Sequence, residues 1–107
     1  MPRLKYQTLT EQMFYILLCL EEECSGIDLF ERIRRQTGGR VTVGSGTLYN
    51  LLEQFLNADM ICEVRSEGRK RSYCLTVSGR QALSRECKRL KAQLADYNAV
   101  FGKEEPV

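Results

Sequence analysis

Between Ile61 and Val77 the hydrophobic period of this chain shifts from that of a helix to that of a strand. "ICEVRSE" and "RSYCLTV" alternate on either side of Gly68, the pattern of two antiparallel strands joined by a tight turn. A two-stranded hairpin is at best marginal in water on its own, so it must lie against helices. The order in which those helices arrive decides the fold.

Three amphipathic segments precede the hairpin. In "TLTEQMFYILLCLEEE", Thr8 and Glu11 have the spacing of a capping box. Met13, Ile16, Leu17 and Leu20, widened by Phe14 and Leu18, form an inner stripe that runs into an acidic end at Glu21, Glu22 and Glu23. In "CSGIDLFERIRRQTGG", Ser25 is the expected N-cap and Ile27, Phe30 and Ile33 the inner stripe, with Gly38 and Gly39 as the stop. "VTV" at 41–43 is expected to form a short strand. "GSGTLYNLLEQFLNADM" gathers Leu48, Leu51, Leu52 and Phe55 on one helical face and Gly46, Asn50, Glu53 and Asn57 on the other, with Thr47, Tyr49 and Gln54 at the margins. From Ser78 a long amphipathic helix runs to about Phe101, followed by the polar tail "GKEEPV".

Helix, helix, helix, hairpin, helix are the parts of a winged helix-turn-helix. The expected fold is mainly α (α+β), with a two-stranded β wing and a long C-terminal dimerisation helix. The expected division is a winged-helix DNA-binding domain over 1–78, the dimerisation helix over 79–102 and a tail over 103–107.

Composition narrows the chemistry. The 107 residues suit a single domain with one modest core. The longest apolar run, "MFYILLCL", is far short of the ~20 residues that span a bilayer. The start, "MPRLKYQT", lacks the apolar stretch and cleavage site of a signal peptide, so a cytoplasmic location is expected. Five cysteines without a CxxC argue against a disulfide framework and against structural zinc. The absence of histidine removes the usual general base, the Ser–His and Cys–His pairs and imidazole metal sites. No catalytic, metal or cofactor site is expected, and the chain does not read as an enzyme.

Net charge is only +2, but the charge is clustered. Arg32, Arg34, Arg35 and Arg40 form one basic patch; Arg65, Arg69, Lys70 and Arg71 form another against a single Glu67. Residues 44–58 contain no Lys or Arg. A helix of that kind can enter the major groove and read base edges through Ser45, Thr47, Tyr49 and Asn50, provided that affinity comes from elsewhere. The wing cations would supply it along the phosphate backbone, with Arg32, Arg34 and Arg35 flanking the same groove. The competing readings are an ordinarily solvated helix face and a charged edge that blocks strand pairing. Two basic patches around one polar face favour double-stranded DNA.

On the last helix Leu83, Cys87, Leu90, Leu94, Tyr97 and Phe101 are spaced 4, 3, 4, 3, 4, a seam suited to a homodimer. The alternative is a helix that folds back on its own domain. A turn centred on Gly68 sets Cys62 opposite Cys74, a pair that reads either as a redox switch or, more ordinarily, as small buried hydrophobes.

The string "TGGRVTVGSGTLYNLLEQF", followed by a hairpin ending "GRKRSYCLTVSGRQAL", resembles the PadR family of winged-helix transcriptional regulators from about Leu9 to Leu83. The resemblance rests on "GTLY" at the start of the third helix and on the wing's passage through a tyrosine into Leu75, Thr76 and Gly79. It implies a dimeric repressor of the short, single C-terminal helix type, acting on a pseudo-palindromic operator. Ser45, Thr47 and Tyr49 match the helix-start motif, and Arg69, Lys70 and Arg71 the basic wing. Many members answer to a small hydrophobic or aromatic effector. Asn50 and Asp59 stand where the family usually has proline and glycine, and no tryptophan is present. The remaining alternative is a winged-helix protein–protein interaction module that does not bind DNA, with Glu53 facing a protein.

Overall fold

The computed structural model describes residues 8–68 and 70–102, and of residues 65–67 the backbone alone. The expectations for Arg69, for the Arg65 side chain and for the 103–107 tail therefore lie outside the described residues. The elements are α1 (Glu11–Cys19), β1 (Cys24–Ser25), α2 (Gly26–Thr37), α3 (Ser45–Asn57), β2 (Ile61–Glu67), β3 (Lys70–Leu75) and α4 (Val77–Phe101). The strands form one antiparallel sheet in the order β1-β3-β2. Phe55, Ile16, Leu17, Leu20, Leu29, Ile33, Leu48 and Leu52 lose nearly all contact with water and make the core between the first three helices and the sheet.

Several local expectations are corrected. α1 is capped by Thr10, whose hydroxyl accepts the Met13 N–H at 3.1 Å, and not by Thr8. The helix stops at Cys19, before its acidic tail, whose carboxylates would oppose the negative end of a longer helix dipole. α2 is capped by Ser25 as expected, its hydroxyl accepting the Asp28 N–H at 3.0 Å. Its inner stripe is Gly26, Leu29, Ile33 and Thr37, while Ile27 is 63% exposed. Steps of three residues drift around a helix turning ~100° per residue, so Ile27 ends up roughly 120° from Ile33.

"VTV" is not a strand. Val41 and Val43 are buried, but among the described residues no strand pairs with them. Thr37 fixes the segment by accepting the Val41 N–H at 3.1 Å. The strand pairing that does exist on that side of the wing is the two-residue β1, whose Cys24 and Ser25 lie opposite Tyr73 and Ser72.

The "LTVSG" segment is a joint between three elements. Leu75 ends β3 in the core; the Thr76 hydroxyl accepts the Gly79 N–H at 3.0 Å and donates to the Asp59 carbonyl at 2.7 Å. Gly79 packs so tightly against the α3–β2 turn that a Cβ there would come within 2.1 Å of the Met60 carbonyl oxygen. Opposite it, Asp59 takes a left-handed conformation, φ 61°. Asp tolerates that region better than most residues, which explains how it stands where glycine is usual.

α4 starts inside the fold and leaves it. Gly79, Ala82 and Glu86 are buried. The Glu86 carboxylate accepts from the Arg89 guanidinium, with Nε at 3.1 Å, and from the Leu9 N–H. These bonds hold the carboxyl below its ordinary range despite burial. Beyond this point Leu90, Leu94, Tyr97, Val100 and Phe101 are all exposed. No helix among the described residues is long and apolar enough to cross a membrane.

Candidate nucleic-acid interface

α3 presents the face expected of it. Leu48, Leu51, Leu52 and Phe55 are buried, and Ser45, Gly46, Thr47, Asn50, Glu53 and Asn57 are exposed. Its N-cap, Gly44, makes no side-chain cap bond, so no side chain covers the first turn from that position.

Tyr49 has a second task. Its ring meets Phe30 edge-on, centroids 6.2 Å apart, and lies over Gly26, where an added Cβ would come within 2.8 Å of the ring. The phenol is still 45% exposed. Gly26 is thus the gap in α2 that seats Tyr49 and sets the distance between the two helices. The sequence marks Tyr49, but its contact with Gly26 is a property of the fold.

The wing is a twisted ribbon with its turn at Gly68, φ 61°. Ile61 faces Leu75, Cys62 faces Cys74, and Glu63 faces Tyr73; the ladder then slips, leaving Val64 as an extra residue before Arg65 meets Ser72. Such a bulge bends a strand and increases its twist. Lys70 lies 3.8 Å from the Asp28 carboxylate on α2, and Arg71 lies 3.3 Å from Glu63 on the neighbouring strand. Glu63 sits diagonally across from Arg71 on one face of the ribbon, as strand geometry allows. All four side chains retain access to water, and pairs of that kind are worth about 0–1 kcal/mol. A phosphate can therefore take over Lys70 at little cost, whereas Arg71 also interacts with the hydroxyl of Tyr73.

The first turn of α2 ties these parts together. Gly26 receives Tyr49 from α3, and Asp28, two residues on, receives Lys70 from the wing. Lys70, near the tip of the wing, and the head of α3 consequently abut the same turn.

The other basic patch does not flank this groove as free charge. Arg32 turns to the end of α1, where its Nη1 donates to the carbonyls of Cys19 at 3.1 Å and Glu22 at 3.3 Å. Arg34 pairs with both carboxylate oxygens of Glu31, and Arg35 approaches the same carboxylate at 4.0 Å. Arg40 donates to the Tyr15 hydroxyl at 2.9 Å and lies over its ring. Glu31 precedes the acid-free window of 32–40 by one residue and shares its charge with Arg34 and Arg35, both of which stay exposed.

The cysteines divide into two kinds. Cys19 and Cys24 are buried, and burial pushes both thiols up. Cys62 and Cys87 are exposed and Cys74 is half-buried, so the reading of the Cys62–Cys74 pair as small buried hydrophobes does not hold. The described residues contain no cluster of three or more His, Cys, Asp or Glu that could hold a metal ion.

Three helices, an antiparallel wing and a polar outward face on the third helix define a winged helix-turn-helix protein. Residues 16–85 match the model of the transcriptional regulator PadR-like family, and the chain belongs to that family. The family is one of transcriptional regulators rather than enzymes. Solved structures agree with the fold. A PadR family transcription regulator from Clostridium difficile R20291 superposes with a TM-score of 0.71 at 20% identity, over 84% of this chain and 97% of that one. Bacillus subtilis PadR, solved with operator DNA, gives 0.61 at 25% identity, over 70% of this chain and 46% of that one. Bordetella bronchiseptica BpsR, whose DNA binding is regulated by 6-hydroxynicotinic acid, gives 0.64 at 20% identity, over 92% and 69%. A search of curated proteins finds no match.

Proposed function

We propose that this regulator is a homodimeric repressor that binds a two-fold symmetric duplex site. Ser45, Thr47 and Asn50 of α3 face the bases of the major groove, with Tyr49 at the edge of that face. Lys70 and Arg71, together with Arg65 and Arg69, hold phosphates beside it. The observation that carries this reading is the shared footing on α2, where Lys70 reaches Asp28 and Tyr49 fills Gly26. It sets the cationic ribbon and the uncharged head of α3 side by side, so that one supplies affinity while the other inspects sequence.

α4 is the dimerisation helix of this reading, following the winged-helix domain over 1–78. Leu90, Leu94, Tyr97 and Phe101 form an exposed stripe that continues from half-buried Leu83 and exposed Cys87. A helical stripe this apolar is best satisfied by its own copy. A small hydrophobic or aromatic effector releasing the DNA fits the same dimer, in the manner that BpsR answers to 6-hydroxynicotinic acid. The site of action is the cytoplasm, where such a regulator meets its operator.

Selection of bound fragments from random duplex DNA tests the proposal. The expected product is a pseudo-palindrome with two half-sites related by the dimer axis. Recovery of no duplex even at low salt contradicts it and favours the protein-interaction alternative, which exposed Glu53 at the middle of α3 would then serve.

A further inference from the structure

Cys62 and Cys74 are direct partners across the wing, next to its base. Their strand neighbours Ile61, Tyr73 and Leu75 are buried, so the alternation of the strands turns both sulfurs to the outer face together. Directly opposed strand residues hold their Cβ atoms about 4.5–5.5 Å apart, and a disulfide needs about 3.5–4.5 Å. A small approach of the strands closes the gap. Both carry free thiols, one exposed and one half-buried, unlike the deeply set Cys19 and Cys24.

We propose that Cys62 and Cys74 form a reversible disulfide across the wing on meeting a low-molecular-weight disulfide, and that its closure weakens the grip on DNA. The thiolate of one cysteine attacks a sulfur of the oxidant and expels one small thiolate. The thiolate of the second attacks the resulting mixed disulfide, forms the Cys62–Cys74 bond and expels the other. Two electrons pass from the protein sulfurs to the oxidant, and the two protons they shed end on the two released thiols. Disulfides of this transient kind are the ones that occur in reducing compartments.

The effect on the wing follows from the bulge. Val64 lies between the cysteine pair and the tip. Drawing the strands together on one side of a bulge alters the bend and twist it imposes, and so re-aims what lies beyond it. The segment beyond carries Lys70 and Arg71, and Glu63, the partner of Arg71, directly follows Cys62. This consequence rests on the DNA-binding reading; the disulfide itself does not.

The test uses the full chain with Cys87→Ser, since exposed Cys87 on the apolar stripe would link two copies. The protein is equilibrated with glutathione disulfide, mapped by non-reducing peptide mass spectrometry and titrated against a selected duplex. The expected result is an intrachain Cys62–Cys74 peptide and affinity lowered about 3-fold or more, restored by dithiothreitol and unaffected by oxidant once Cys74→Ser is added. No such peptide, glutathione capping without closure, or closure with unaltered affinity overturns the proposal. A reduced wild-type chain that retards no duplex overturns the DNA-binding reading instead, while the peptide map still decides the disulfide.

Discussion

Arg32 and Lys70 each bring a positive charge to α2, and the two charges have different fates. Arg32 is half-buried and donates to two carbonyls at the end of α1, where a helix gathers negative charge. Lys70 stands on an exposed ribbon and shares a loose 3.8 Å pair with Asp28. The contrast is weaker for their neighbours. Arg40 is set on Tyr15, but Arg34, bound twice to Glu31, is as exposed as Arg71, which has Glu63 across the strand and the Tyr73 hydroxyl beside it. A cluster of cations is thus no measure of a binding surface. What matters is how much protein each cation gives up when a phosphate arrives.

The largest expected effect sharpens this contrast. Replacing Arg69, Lys70 and Arg71 together with Gln should weaken binding of a selected duplex by about 10-fold or more while leaving the melting temperature nearly unchanged. Arg32→Met should do the reverse. It should cost about 1–2 kcal/mol of stability in urea titrations through two lost charged hydrogen bonds, with DNA affinity of the folded protein held. A fall in affinity there would break the contrast.

Smaller effects probe the partners. Glu63→Gln frees Arg71 for phosphate, so affinity measured by fluorescence anisotropy should rise about 2-fold. A fall would mean that Glu63 orients Arg71 rather than competing for it. Tyr49→Phe keeps the ring on Gly26 and removes only the hydroxyl, so stability should hold and affinity should fall by less than about 1 kcal/mol.

Much of this frame was legible in the residues. Ser25 as a cap, Gly38 as a stop, Gly68 as the turn and Leu48, Leu51, Leu52 and Phe55 as a buried face are local choices, governed by spacing and backbone chemistry. The register of Cys62 on Cys74 needs the Val64 bulge as well as the turn, because the pairing at the tip, Glu67 on Lys70, would otherwise set Cys62 opposite Leu75. The misses are non-local or turn on a residue or two. Thr8 and Thr10 both offer a hydroxyl, and the helix takes Thr10, the one that follows buried Leu9. The alternation of Val41 and Val43 is true of their burial, but a strand also needs a neighbour. The partners of Lys70, Arg32 and Arg40 lie far off in sequence, and Gly79 owes its necessity to a carbonyl at Met60 that no periodicity reveals.

The most direct measurement is the salt dependence of duplex binding for the wild type and for the Lys70→Gln, Arg71→Gln double variant. Each phosphate contact contributes roughly 0.9 to the slope of log affinity against log salt. The slope should therefore flatten by about 1–2 in the variant. Parallel lines for the two proteins would show that the ribbon does not touch the phosphates, and would contradict the account.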